Sequence, residues 1–113
     1  MKRSDKARLE DMLEAIEKIE DKTRNGRRQF DEDELVRVWV LHHLEILGEA
    51  SRGVGLEQKE KMSDVPWTRI GGLRNFLAHE YFSVEADIVW GVVEKELPFL
   101  KRRIKESVEG LQD

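Results

Sequence analysis

The sequence predicts an all-α fold, an antiparallel bundle of four main helices with one short connecting helix. Three observations predict it. Apolar residues recur at helical spacing in four separate stretches. Charged and hydrophobic residues each make up 39% of the chain, which suits helices with one covered stripe and one solvated face. The stretches are separated by short runs of breakers, so consecutive helices must pack as neighbours.

Leu9, Met12, Leu13, Ile16 and Ile19 mark a first amphipathic helix over roughly residues 4 to 22. Asn25-Gly26 supplies turn chemistry, and Asp31 with Glu34 reads as a capping box that opens a second helix. That helix, Leu35 to Ala50, is apolar around most of its circumference and must be central. Val36, Val38 and Val40 alternate as in a strand, but the helix formers of Leu41 to Ala50 decide for helix. Arg37, Glu45, Gly48, Glu49 and Arg52 share its polar sector, and Gly53 and Gly55 end it. Leu56 to Met62 is the short polar connector.

Ser63-Asp64-Val65-Pro66 reads as a capped start for a third main helix that runs to about His79. Gly71-Gly72 interrupts it, which calls either for close packing on another helix or for backbone approach to a ligand. Ser83 caps the last helix, whose stripe is Val89, Val93, Leu97, Leu100, Ile104, Val108 and Leu111. Pro98 removes one backbone bond and clashes with the preceding turn, so this helix is expected to kink or split there.

A chain of 113 residues fits one domain spanning residues 1–113. The absence of cysteine removes disulfides and thiolate metal sites and fits a reducing, cytoplasmic setting. Met1 to Glu10 is too charged for the apolar core of a signal peptide, and no apolar run approaches the ~20 residues that span a bilayer. A net charge of −4 argues against broad attraction to phosphate, so any nucleic-acid site must be local.

The chemistry-bearing stretch is Arg74-Asn75-Phe76-Leu77-Ala78-His79-Glu80-Tyr81, in which a cation, an imidazole and a phenol lie within eight residues. Phe76, Leu77 and Ala78 are suited to anchor it in the core. On a continuous helix His79 would stand roughly 140° around and about 7.5 Å along from Arg74, so the two would not share a face. Either the helix ends near His79, or the working pair assembles between subunits; the second is the expectation adopted here. Asn75 and Glu80 are candidates to orient His79 or a phosphate. Taken singly, each residue has an ordinary structural role open to it: a hydrogen-bonded histidine, an ion-paired arginine, a partly buried tyrosine at a helix end.

His42-His43 invites a metal proposal, but adjacent histidines on a helix point about 100° apart. None of the three histidines has a Glu three residues before it, so the di-iron Glu-x-x-His pattern of helical bundles is missing. No metal site and no cofactor are expected, and no Gly-rich phosphate loop is present.

Arg74, four residues, His79, one residue and Tyr81 together resemble the R-x4-H-x-Y signature of HepT toxins in the HEPN group. Pro66-Trp67 ahead of Arg74-Asn75, the run Leu44-Glu45-Ile46-Leu47-Gly48-Glu49-Ala50, and Trp90 followed by Leu97-Pro98 resemble the same family, so the likeness covers nearly the whole chain. The resemblance implies a single HEPN domain that works as a homodimer, a metal-independent endoribonuclease with its cleft between protomers. His79 would be the base that deprotonates a ribose 2′-hydroxyl, and Arg74 the cation on the phosphate. It also implies the toxin half of a type VII toxin–antitoxin system. The antitoxin would be an MNT-type nucleotidyltransferase that uses ATP and Mg to place AMP on Tyr81, beside Arg74. The other class of reading is a non-catalytic HEPN dimer that serves as a binding module for that nucleotidyltransferase.

Overall fold

A computed structural model describes residues 3–73 and 86–111 of the chain. Helix α1 spans Asp5–Thr23, α2 Arg27–Glu32, α3 Glu34–Gly53, α4 Leu56–Lys61 and α5 Trp67–Gly71. After the undescribed stretch come α6, Ala86–Gly91, a π-helical turn at Val92–Glu96, and α7, Leu97–Glu109. The protein is all-α: no strand occurs among the described residues.

Helix α1 starts where Ser4 accepts a hydrogen bond from the Ala7 N–H at 3.0 Å, which satisfies one of the orphan donors of a helix N-terminus. Its predicted stripe is real: Leu9, Met12, Ile16 and Ile19 are fully buried. They close against α3, which contributes Val40, Leu44 and Leu47 to the same core. The pair is antiparallel, because Asp5 at the start of α1 accepts from the Gly55 N–H just past α3 at 2.8 Å, while Trp39 near the start of α3 donates to the Lys18 carbonyl at 2.7 Å. Helix α7 completes the core with Leu97, Leu100 and Ile104, and Lys101 reaches Glu20 on α1 at 2.7 Å.

Two local readings are corrected. Asp31 does not cap the central helix. The N-cap is Asp33, whose side chain accepts from the Leu35 and Val36 N–H groups at 2.9 and 3.4 Å. Asp31 lies inside α2, a short helix with no periodic signal in the sequence, where it pairs with Arg27 one turn earlier. Helix α2 exists because Phe30 must be buried. Gly26, at a φ of 89° that other residues rarely adopt, turns the chain into it. Arg37 of α3 donates to the Phe30 and Asp31 carbonyls and so closes its far end.

The start of α5 also differs from expectation. No side chain caps it; Asp64 instead receives the Arg103 guanidinium of α7 at 2.8 Å, which holds its carboxyl below the usual carboxylate range. Around Pro98 the helix adapts by widening one turn: the Leu97 N–H bonds the Val92 carbonyl five residues back, and α7 starts afresh with the proline in its first turn. A proline there forfeits no helical hydrogen bond, so the expected interruption is a π turn followed by a new helix.

The corrected cap is testable. Asp33→Ala should lower stability by about 1 kcal/mol, whereas Asp31→Ala, which removes only a solvent-exposed ion pair, should cost well under half of that. Urea unfolding of the two variants decides it, and equal losses would restore Asp31 as the cap.

Candidate functional site

The sequence placed the chemistry at Arg74, Asn75, His79, Glu80 and Tyr81. These residues, together with Ser83, lie outside the described residues. What the structure does show is how the chain enters and leaves that stretch. On the entry side, α5 packs on α3, with Ile70 and Gly71 buried. The Arg52 Nε of α3 donates to the Gly71 carbonyl at 2.7 Å, so the last turn of α5 is tied to the central helix. A methyl group on Gly71 would meet the Arg52 side chain at 3.4 Å and the Ser51 hydroxyl at 3.8 Å. Both are ordinary van der Waals distances, so the contact with α3 alone does not require a glycine at this position. Leu73, the last residue before Arg74, packs partly buried against the core.

On the exit side, Asp87 in the first turn of α6 receives the Arg27 guanidinium of α2. This contact, with Asp31 behind it, raises the Arg27 pKa and keeps the group charged. One turn later Trp90 lies against Phe30, ring centroids 5.4 Å apart and tilted by 44°. The described residues on either side of the stretch are thus fastened to helices of the core, α3 on one side and α2 on the other.

Beside the entry side lies an open groove of about 730 Å³ between the end of α3, α4 and α5, bordered by Arg52, Lys59, Glu60, Trp67, Thr68 and Gly72. Trp67 is half-buried and pinned by its indole N–H, which donates to the Met62 carbonyl at 3.0 Å. The Lys59 ammonium stands 5.5 Å from the centre of its ring. In the sequence, residues 56–62 read as a connector and Trp67 only as part of a helix start. A lysine eight residues before a tryptophan carries no periodic signal, so this pairing is visible only once α4 and α5 are folded against each other.

The histidine pair of α3 divides as helix geometry requires. His42 is exposed and His43 buried, with rings nearly perpendicular at 84°. The His43 Nδ1 lies 2.8 Å from the Trp39 carbonyl, which fixes that nitrogen as the protonated one, since a carbonyl can only accept. Among the described residues no group of three or more His, Asp or Glu side chains is arranged to hold a metal ion, and no helix is long and apolar enough to cross a membrane.

A helical protein with this architecture, and with an R-x4-H-x-Y sequence held between two anchored helices, falls in the class of small HEPN-type bundles. The comparison with protein families makes that specific: residues 12–107 match the family described as ribonuclease HepT-like, and the chain belongs to it. A Methanocaldococcus jannaschii protein whose name assigns it provisionally as an RNase is 35% identical over 105 residues, which covers 92% of this chain and 96% of the relative. A Thermococcus cleftensis protein named "Probable ribonuclease HepT" is 37% identical, covering 94% of this chain and 97% of the relative. A Caldanaerobacter subterraneus protein, again provisionally an RNase, is 35% identical over 89% of this chain and 91% of its own length. No solved structure matches the chain closely.

Burial pushes the His43 imidazole below the usual histidine value, against the opposing effect of its bond to the Trp39 carbonyl. The unfolded chain takes up this proton near pH 6.5 and the folded chain only at lower pH, so stability must fall as pH drops below about 6.5. The thermal midpoint of the wild type should decline from pH 7 to pH 5 more steeply than that of His43→Gln. Parallel declines would show that His43 does not contribute.

Proposed function

We propose that this protein is a metal-independent endoribonuclease, the toxin of a type VII HEPN/MNT pair, active as a homodimer and silenced by AMP on Tyr81. The observation that carries the reading is the family match over residues 12–107, which contains the complete Arg74, His79, Tyr81 pattern. The names of the relatives support the ribonuclease part of it.

The residues suit the chemistry. His79 takes the proton from a ribose 2′-hydroxyl. The freed oxygen attacks the adjacent phosphorus, the bond from phosphorus to the 5′-oxygen breaks, and that oxygen leaves with a proton. A 2′,3′-cyclic phosphate remains on one fragment and a 5′-hydroxyl on the other. Arg74 offers a planar fork of donors to the phosphate oxygens, whose charge grows in the transition state. Asn75 and Glu80 are placed in the chain to orient His79 or the phosphate. Since Arg74 and His79 would not share a face of one helix, a cleft between two protomers is the arrangement that unites them.

Regulation follows from the same stretch. The Tyr81 phenol would attack the α-phosphorus of ATP held by the nucleotidyltransferase, forming a phosphodiester and releasing pyrophosphate. The attached AMP brings an anion close to Arg74 in the sequence, where it competes with RNA phosphate for the cation.

Three variants test the reading. RNA incubated with the wild type in EDTA should be cut to products ending in cyclic phosphate, and Arg74→Ala and His79→Ala should each lose about 100-fold or more of the rate, the scale of a lost base or charge-stabilising donor. Tyr81→Phe should cut RNA but escape silencing by the nucleotidyltransferase and ATP. A wild type that leaves RNA intact while it binds the nucleotidyltransferase tightly would make the protein a binding module instead.

A further inference from the structure

We infer that the groove between α3, α4 and α5 is the track for the single-stranded RNA that flanks the scissile phosphate, with Trp67 as a stacking platform for a base and Lys59 and Arg52 as its phosphate contacts. The inference rests on the ribonuclease reading and adds to it a place for the substrate outside the Arg74–His79 pair.

Four observations lead there. The groove is open, about 730 Å³, and combines an aromatic ring with two cations, the pairing by which proteins hold single strands without reading their sequence. Its aromatic is held in place: the Trp67 indole is tied to the Met62 carbonyl and half-buried, so a base that stacks on its exposed part meets a surface already fixed. Its cations are positioned as well. Arg52 spends only its Nε on the Gly71 carbonyl, and the other donors of its fork bond no described residue. The Lys59 ammonium lies over the Trp67 ring, 5.5 Å from its centre, within reach of a phosphate linked to a base stacked beside it. Finally, Gly72, two residues before Arg74 in the chain, is among the residues that line the groove.

Local charge also separates this surface from the rest of an acidic protein. Of the groove's charged residues two are basic and one, Glu60, is acidic, whereas the whole chain carries −4. Glu60 stands against a phosphate backbone and should weaken binding, which makes it a useful probe: its neutralisation should improve affinity, a result that misfolding cannot imitate.

The test uses a fluorescein-labelled 12-nucleotide single-stranded RNA with 2′-O-methyl riboses, which cannot be cleaved by 2′-hydroxyl attack, and reads affinity by anisotropy beside a cleavage assay on ordinary RNA. Lys59→Gln should bind about three- to tenfold more weakly, and its salt dependence should flatten by about 0.7 in the slope of log K against log salt; Lys59→Arg should restore both. Trp67→Leu should lose about tenfold while Trp67→Phe, which keeps a stacking face, retains most of the affinity, with melting curves to confirm that both fold. Glu60→Gln should bind about two- to threefold more tightly. Cleavage of RNA with the same oligonucleotide affinity in wild type, Lys59→Gln and Glu60→Gln overturns the groove and leaves the ribonuclease reading standing. The same holds if these variants weaken only the capture of a nucleotidyltransferase. A wild type that neither binds nor cuts RNA overturns both.

Discussion

The antiparallel seam between α1 and α3 is the constraint on which everything else depends. Leu9, Met12, Ile16 and Ile19 on one helix and Val40, Leu44 and Leu47 on the other are essentially sealed from water. Each such side chain contributes about 1.5–3 kcal/mol on burial, so the seam outweighs any polar contact in the molecule. The seam is also locked in register from both ends, by Asp5 on the Gly55 N–H and by the Trp39 indole on the Lys18 carbonyl. A helix held this firmly can serve as a base plate. Helix α2 closes on it through Arg37, and α5 through Arg52.

That base plate also holds the two helices that flank residues 74–85. Those helices are attached to different parts of one core, α5 by Gly71 to α3 and α6 by Asp87 and Trp90 to α2. The polar ties are solvent-exposed at α6, where ion pairs are worth little by themselves, and the aromatic contact of Trp90 with Phe30 supplies the apolar anchor beneath them. The π turn at Val92–Glu96 lies one helix further on. It lets Pro98 sit at the start of α7 without breaking the apolar stripe that Val93, Leu97 and Leu100 present to the core.

Charge is distributed by the same logic. Most described ion pairs lie on the outside, among them Arg3 with Asp11, Arg28 with Glu32 and Arg24 with Asp21, so many basic residues are matched at close range. Arg52 and Lys59 are employed differently, one on a backbone carbonyl and the other over an indole ring. An acidic protein can thus keep a basic surface where a polyanion would need it, because electrostatic attraction at salt concentrations near physiological acts over only about 8 Å.

By itself the sequence determined the helical class, the central position of the 35–50 helix, the apolar stripes, the disturbance at Pro98 and the motif that marks the family. All of these follow from spacing along the chain, because a helix converts the order of residues into faces with a fixed period. Tertiary structure decided what depends on residues brought together from afar. Asp33 rather than Asp31 caps α3 because Phe30 draws α2 into the core and takes Asp31 with it. Asp64 answers Arg103, thirty-nine positions away, and not the helix beside it. Arg52 of α3 meets the Gly71 carbonyl, nineteen positions away, and Lys59 meets Trp67 because α4 folds back on α5. Such pairings have no period to read; they arise where separate helices compete for the same core, and the packing of that core selects among the local options that the sequence leaves open.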